Sequence, residues 1–289
     1  MIRVEIDPHS GFCGGVIRAI GTAEEYLREH GAPLYSLGEI VHNEEELSRL
    51  QGLGLVTVGS LDGTKPGERV LIRAHGVPPE VYSEAAERGL ELIDCSCPVV
   101  LKLQKEIKQA YSRGGRILLF GKTGHPEVLG LVGQVGGDVL VFQDMERLRS
   151  LADGGQIDFS RDIELFSQTT MSPSEYSLAG EYLSGRMSGG AKITIHRSIC
   201  AQVASRHRKL SQFAAGHDVI VFVAGKMSSN GKVLFELCRS VNPRCHQINS
   251  ASELRPEWFE GAASAGVCGA TSTPKWLLED VARRIENLQ

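Results

Sequence analysis

This 289-residue chain has no apolar run as long as a membrane-crossing helix requires. It has no basic block: 31 basic and 35 acidic residues leave a net charge of -4, which argues against nucleic acid as the main partner. No cysteine pair has the CxxC spacing of a zinc ribbon or a thioredoxin-type site, Cys95-Ser96-Cys97 being the nearest approach. The glycine-rich turn Gly11-Phe12-Cys13-Gly14-Gly15 lacks GxGxxG, and no GxxxxGK[ST] phosphate loop occurs. The first residues, MIRVEIDPHSGFC, enter a strand-like pattern instead of a charged-then-apolar leader, so the expected location is the cytoplasm. Seven cysteines, an odd number without a leader, do not describe a disulfide framework.

What the chain does have is an internal repeat. Its length points to two or three compact units, and its composition, 42% hydrophobic and 23% charged, is that of an ordinary globular protein. Three segments run from an apolar strand through a cysteine-bearing turn into an amphipathic helix. They are MIRVEIDPHSGFCGGVIRAIGTAEEYL with Cys13, LELIDCSCPVVLKLQKEIKQAYSRGG with Cys97, and KITIHRSICAQVASRHRKLSQFAAGH with Cys200. Cys97 follows Cys13 by 84 positions and Cys200 follows Cys97 by 103, close to thirds of the chain. Each segment continues into a second strand (PLYSL, RILLF, DVIVFV) and a polar cluster that opens a helix (GEIVHNEEE, GKTGHPEVLG, GKMSSNGKVL). A later strand (RVLIRA, IELFS, SAGVCG) ends in a polar turn: HGVPPEVY, QTTMSPSEY, ATSTPKWL. Short strands alternating with helical stretches predict βαβ units and a mostly parallel sheet. The expected class is α/β, with three similar lobes over residues 1–97, 98–193 and 194–289. Gly189-Gly190 marks the second boundary, and one large doubly wound sheet is the alternative.

In parallel α/β units ligands collect at the carboxyl ends of strands, and every polar cluster named above falls there. Three cysteines, one in each repeat segment, suit a cubane iron–sulfur cluster with one iron left open. That iron could act as a Lewis acid toward a substrate oxygen while the cluster carries electrons. Any single cysteine is by default a small buried residue, and Cys95, Cys238, Cys245 and Cys268, without repeat-equivalent positions, are read that way. His42, His75 and His125 stand in strand-end loops without HxxxH spacing. Beside helix N-termini they suit a phosphate group, and metal ligation is the other reading. Ser228, Ser229 and Asn230 open the matching third-lobe helix, and Ser272 lies in the last strand-end turn; helix capping is the ordinary role of such residues. Glu127 begins a helix two residues after His125. It either compensates the helix dipole or serves as a general acid with Thr169 completing a relay. The competing functions are a Cys/His hydrolase or transferase and a non-catalytic cluster-based redox sensor.

GFCGGVIRAI, GEIVHN, AHGVPP, DCSCPVV, GKTGHPEVLG, SQTTMS, SICAQVASR, KMSSNGK and GATSTPKW follow one another over nearly the whole chain. By these motifs the chain resembles the LytB/IspH family, the 4-hydroxy-3-methylbut-2-enyl diphosphate reductases of the non-mevalonate (methylerythritol phosphate) isoprenoid route. The resemblance implies a pseudo-threefold trefoil of α/β lobes around a central [4Fe-4S] cluster with one open iron. It implies Cys13, Cys97 and Cys200 as the ligands, Cys97 being favoured over Cys95 because the following proline matches the motif. It implies His42, His75, His125, Thr169, Ser228, Ser229, Asn230 and Ser272 as the substrate-orienting shell, and Glu127 with Thr169 as the proton-delivering group. The implied reaction reductively removes the substrate hydroxyl to give isopentenyl and dimethylallyl diphosphate. Its electrons would come singly from a ferredoxin- or flavodoxin-type donor.

Overall fold

A computed structural model describes residues 2–288. Its strands fall into three parallel sheets flanked by helices, so the chain is an α/β protein of three lobes, and among the described residues the single doubly wound sheet is not formed. It divides into two compact units: Met1–Gly63 with Arg69–Arg73 and Ala201–Gln289, and Thr64–Glu68 with Ala74–Cys200.

In the first unit one sheet has the order β1-β12-β10-β11, from β1 (Arg3–Ile6), β10 (Val219–Val223), β11 (Cys245–Ile248) and β12 (Ser264–Gly269). β10 reads VIVFV and is buried throughout, as a strand covered on both faces must be. Its side chains alternate between two cores. Ile220 and Phe222 pack with Leu210 and Ala214 of α8 (Ala201–Ala215) and Leu234 of α9 (Ser229–Val241). Val221 and Val223 pack with Leu278, Val281 and Ile285 of α10 (Lys275–Glu286). Burying one such side chain is worth about 1.5–3 kcal/mol, which fixes the strand between its helices. β1 lies parallel to β12, with Val4 beside Ala265 and Ile6 beside Val267. The strand that leads to Cys13 is therefore part of the sheet built by the last third of the chain. Ile2, Val4 and Ile6 pack on the α10 core, which places them there.

The same unit carries β2 (Leu34–Leu37) paired in parallel with both β3 (Leu55–Val58) and β4 (Arg69–Ile72). Helix α1 (Gly14–His30) buries Ala19, Ile20, Ala23 and Leu27, a stripe at helical spacing. Helix α2 (Glu44–Gly52) follows β2, capped by Asn43, whose side chain accepts from the Glu46 N–H at 3.0 Å.

The second unit begins its helical part with α3 (Pro79–Glu87), then β5 (Glu91–Asp94) and α4 (Pro98–Ser112). Its sheet has the order β7-β6-β8-β9, from β6 (Arg116–Phe120), β7 (Leu140–Phe142), β8 (Ile163–Ser167) and β9 (Ile193–Ile195). On β6, Ile117 and Leu119 face Leu103 and Ile107 of α4 and Leu131 of α5 (Pro126–Gly133). Leu118 and Phe120 face Leu148 of α6 (Met145–Asp153) and Ala179 and Leu183 of α7 (Pro173–Ser184). As with β1, the strand that leads to Cys200, β9, lies at the sheet edge beside the preceding strand. No described helix is long and apolar enough to cross a membrane.

Candidate active site

The three repeat-equivalent cysteines occupy corresponding places. Cys13 caps α1, Cys97 caps α4, and Cys200 directly precedes α8. Each donates its backbone N–H to a carbonyl in a strand-end turn: Cys13 to Thr271 (3.2 Å), Cys97 to Ala74 (2.9 Å) and Cys200 to Thr169 (3.0 Å). One hydrogen bond, repeated three times, ties each cysteine to the turn that follows β12, β4 or β8. All seven cysteines are thiols, and these three are half-buried whereas Cys95, Cys238, Cys245 and Cys268 are buried. Of the neighbouring pair, Cys97 is thus the accessible thiol and Cys95, 2% exposed, belongs to the core. Burial also pushes the Cys268 thiol up, as expected of an inert core cysteine. Cys13 lies in the first unit, Cys97 and Cys200 in the second. Accessible thiols just ahead of helix N-termini are suited to binding a soft metal centre, because the helix end favours their negative charge.

In the second unit Glu127 and Thr169 form a buried hydrogen-bonded pair. Glu127 sits in the first turn of α5 and is 2% exposed. One carboxylate oxygen accepts from the Thr169 backbone N–H at 2.7 Å, and the other from the Thr169 hydroxyl at 2.9 Å. Burial raises the Glu127 carboxyl to about 7, while the two bonds from Thr169 oppose the rise. His125 caps α5, its Nδ1 accepting from the Glu127 N–H at 3.2 Å, so the neutral ring carries its proton on Nε2. His75 stands edge-on to His125, with ring centroids 5.2 Å apart.

In the first unit the short donors predicted for the third lobe converge. Ser228 caps α9 by accepting from the Gly231 N–H at 3.0 Å, and the Ser272 hydroxyl donates to Ser228 at 3.0 Å. The Asn230 carboxamide oxygen accepts from both the N–H (3.0 Å) and the hydroxyl (2.9 Å) of Thr271. That fixes the amide the other way round, with the NH₂ group of this 4%-exposed residue left buried and without a partner among the described residues. The Ser229 hydroxyl is in the same state. Two orphaned donors at a helix N-terminus describe a place for an anionic acceptor, since leaving them unmet costs about 1–3 kcal/mol each. His42 is held from behind, its Nδ1 3.0 Å from the Glu39 carboxylate.

Several contributors escaped the sequence reading. Gln168, fully buried, braces two loops by accepting from the Lys122 N–H (3.0 Å) and donating to Thr170 (3.0 Å). Thr271 orients Asn230, and Glu39 orients His42. Arg73 donates to the Glu39 carbonyl at 2.8 Å. Burial lowers its guanidinium to about 10, with Glu39 opposing. Its guanidinium lies beside Gly38, whose left-handed backbone (φ 75°) favours glycine at that position. Gly225 is required by close approach, because a Cβ there would meet the His42 carbonyl at 2.3 Å. The Lys226 N–H beside it donates to Glu44 at 3.2 Å.

The model of the LytB protein family matches residues 4–286. A 4-hydroxy-3-methylbut-2-enyl diphosphate reductase of Bacteroides fragilis is 48% identical over 99% of this chain and 98% of its own length. The reductase of the same name from Chloroherpeton thalassium is 42% identical over 98% of this chain and 96% of its own. Among solved structures, (E)-4-hydroxy-3-methyl-but-2-enyl diphosphate reductase, the terminal enzyme of the non-mevalonate pathway, is similar with a TM-score of 0.71 and 31% identity. That similarity covers 99% of this chain and all of the other. The Plasmodium falciparum E-1-hydroxy-2-methyl-but-2-enyl-4-diphosphate reductase shares the fold, with a TM-score of 0.87 at 24% identity, over 98% of this chain and 87% of that one.

Proposed function

The chain belongs to the LytB family, and from that premise we propose that it is an iron–sulfur reductase acting on 4-hydroxy-3-methylbut-2-enyl diphosphate. It removes the hydroxyl group to give isopentenyl and dimethylallyl diphosphate, the terminal step of the non-mevalonate route. Two electrons and two protons are consumed: the C–O bond breaks, its oxygen leaves as water, and a C–H bond takes its place. Cys13, Cys97 and Cys200 would hold the [4Fe-4S] cluster that the family resemblance implies. Their shared exposure and the repeated backbone tie support that assignment. When bound, the cluster would supply single electrons and Lewis-acid chemistry.

The side chains do the remaining work. Asn230 and Ser229 give their free donors to the diphosphate, with Ser228 and Ser272 beside them at the N-terminus of α9. The family resemblance adds His42, His75 and His125 to the diphosphate-binding residues, and each charge-assisted bond to the diphosphate is worth about 1.5–3 kcal/mol. Glu127 supplies the proton that turns the hydroxyl into water. A carboxyl at about 7 is roughly half protonated at neutral pH, the poise a general acid needs, and Thr169 fixes its orientation. This buried, doubly held carboxyl in a LytB chain is the observation that carries the reading. One-electron donors of the ferredoxin or flavodoxin type feed the reaction, and the cytoplasm, whose reducing conditions suit seven thiols, is the location.

Anaerobic purification followed by iron and sulfide analysis, with mass spectrometry of turnover driven by reduced methyl viologen, tests the proposal. Cluster-loaded protein that converts the substrate into both isopentenyl and dimethylallyl diphosphate is expected. A colourless, iron-free protein that is nevertheless active would overturn it.

A further inference from the structure

Within its own unit, Cys13 lines a cleft of about 380 Å³ together with Phe12, Ile17, Arg206 and Lys209. The first-unit wall on this side is cationic. Arg206 donates to the Gly11 carbonyl at 3.0 Å, two residues from Cys13. The buried Asp7 carboxylate, held by the Ser10 hydroxyl at 2.7 Å, offsets part of the Arg206 charge. Lys209, one turn further along α8, is exposed. The helix carries Arg206, His207, Arg208 and Lys209 and no acidic residue, in a chain whose net charge is -4.

The centre of this face is apolar. Ile17 is 58% exposed, and it also lines an adjoining groove of about 420 Å³ that runs to Trp276, itself 39% exposed. The Trp276 indole is not free to fold inward, because its N–H donates to Glu46 at 2.8 Å. A small apolar strip with Arg206 and Lys209 along its α8 side, and with Glu24 and Glu46 paired to Arg49 on its far side, is the composition of a transient protein-docking surface, with apolar contact at the centre and charge at the rim. The positive charge on the α8 side selects an acidic partner and speeds its approach.

We propose that this face docks the electron donor, a small acidic one-electron carrier of the ferredoxin type, so that electrons enter beside Cys13. The inference rests on the reading that Cys13 is a cluster ligand. Each docking passes one electron from the reduced carrier to the cluster and releases the carrier oxidised, so two dockings serve one turnover. Phe12 and Ile17 give the contact, and Lys209 with Arg206 gives the charge.

The test uses cluster-loaded enzyme carrying Lys209→Glu or Ile17→Asp, with an acidic plant-type ferredoxin as the probe. Binding is measured by calorimetry at low and high salt, and turnover with reduced ferredoxin and with reduced methyl viologen. Each substitution is expected to raise Kd and KM for ferredoxin about tenfold or more, as charge placed against charge at a docking rim does. Wild-type affinity is expected to fall with salt, that of Lys209→Glu much less, and viologen-driven turnover to stay within about twofold of wild type. Unchanged ferredoxin Kd and KM in both variants would overturn the docking site, and so would an equal loss with viologen. A wild-type protein that holds no iron or turns over with neither donor removes the reductase reading itself, and the docking surface with it.

Discussion

Replacing Thr169 by valine deletes a single hydroxyl and preserves the branched shape of the side chain. In the wild type that hydroxyl donates to Glu127 at 2.9 Å while the backbone N–H of the same residue donates at 2.7 Å. Burial drives the Glu127 carboxyl to about 7, and these two bonds keep it from rising further because they favour the charged form. A hydrogen bond to a charged group is worth about 1.5–3 kcal/mol, and one pKa unit corresponds to about 1.36 kcal/mol. Loss of the hydroxyl therefore moves the Glu127 titration upward by about 1–2 pH units. A general acid works in its protonated form, so the alkaline limb of the pH–rate profile moves upward by the same amount instead of simply losing height. The assay is kcat against pH at saturating substrate with reduced methyl viologen, and Glu127→Gln is the control. That control should abolish the limb and cost about 10²–10⁴ in rate. A Thr169→Val profile that keeps its alkaline limb at the wild-type pH would refute the reasoning, as would a fully active Glu127→Gln enzyme.

Asn230→Asp keeps the oxygen that accepts from Thr271 but puts a carboxylate in place of the buried NH₂ group proposed to donate to the diphosphate. Calorimetry should show substrate affinity lower by about 10²-fold with the melting temperature little changed. Gly225→Ala brings a Cβ to 2.3 Å from the His42 carbonyl and 2.9 Å from the Asn43 Cα. Denaturant unfolding should show a loss of about 1–3 kcal/mol, the usual cost of overpacking against backbone. Cys97→Ser should strip iron from anaerobically purified protein, whereas Cys95→Ser, at a buried core position, should retain wild-type iron and sulfide content.

The repeat was legible because each lobe repeats the same local pattern. RILLF and VIVFV announce strands covered on both sides, and they are buried at nearly every position. The cysteines and helix-opening serines could be picked out because turn residues sit at fixed offsets from those strands. Placement of β1 beside β12 was not legible, since parallel pairing of strands about 260 residues apart leaves no local mark. Gln168 and Thr271 were missed for the same reason: they act through bonds to residues 46 and 41 positions away, Lys122 and Asn230. Glu39 was missed even though it is near His42 in sequence, because a partly exposed glutamate before a helix looks like any solvated charge. The Glu127–Thr169 relay stood as one of two readings of the residues, and the family resemblance chose it. The desolvation that sets the carboxyl near neutrality depends on packing that no sequence pattern records.

The proposal turns on three thiols, one ahead of each of α1, α4 and α8, binding a single inorganic core. Anaerobic crystals of freshly loaded protein, with diffraction collected across the iron absorption edge, test it most directly. One compact iron peak bonded to the sulfurs of Cys13, Cys97 and Cys200, with no fourth protein ligand, is the expected result. Sulfurs bonded to nothing in common, or a lone tetrahedral ion closed off by protein side chains, would contradict it.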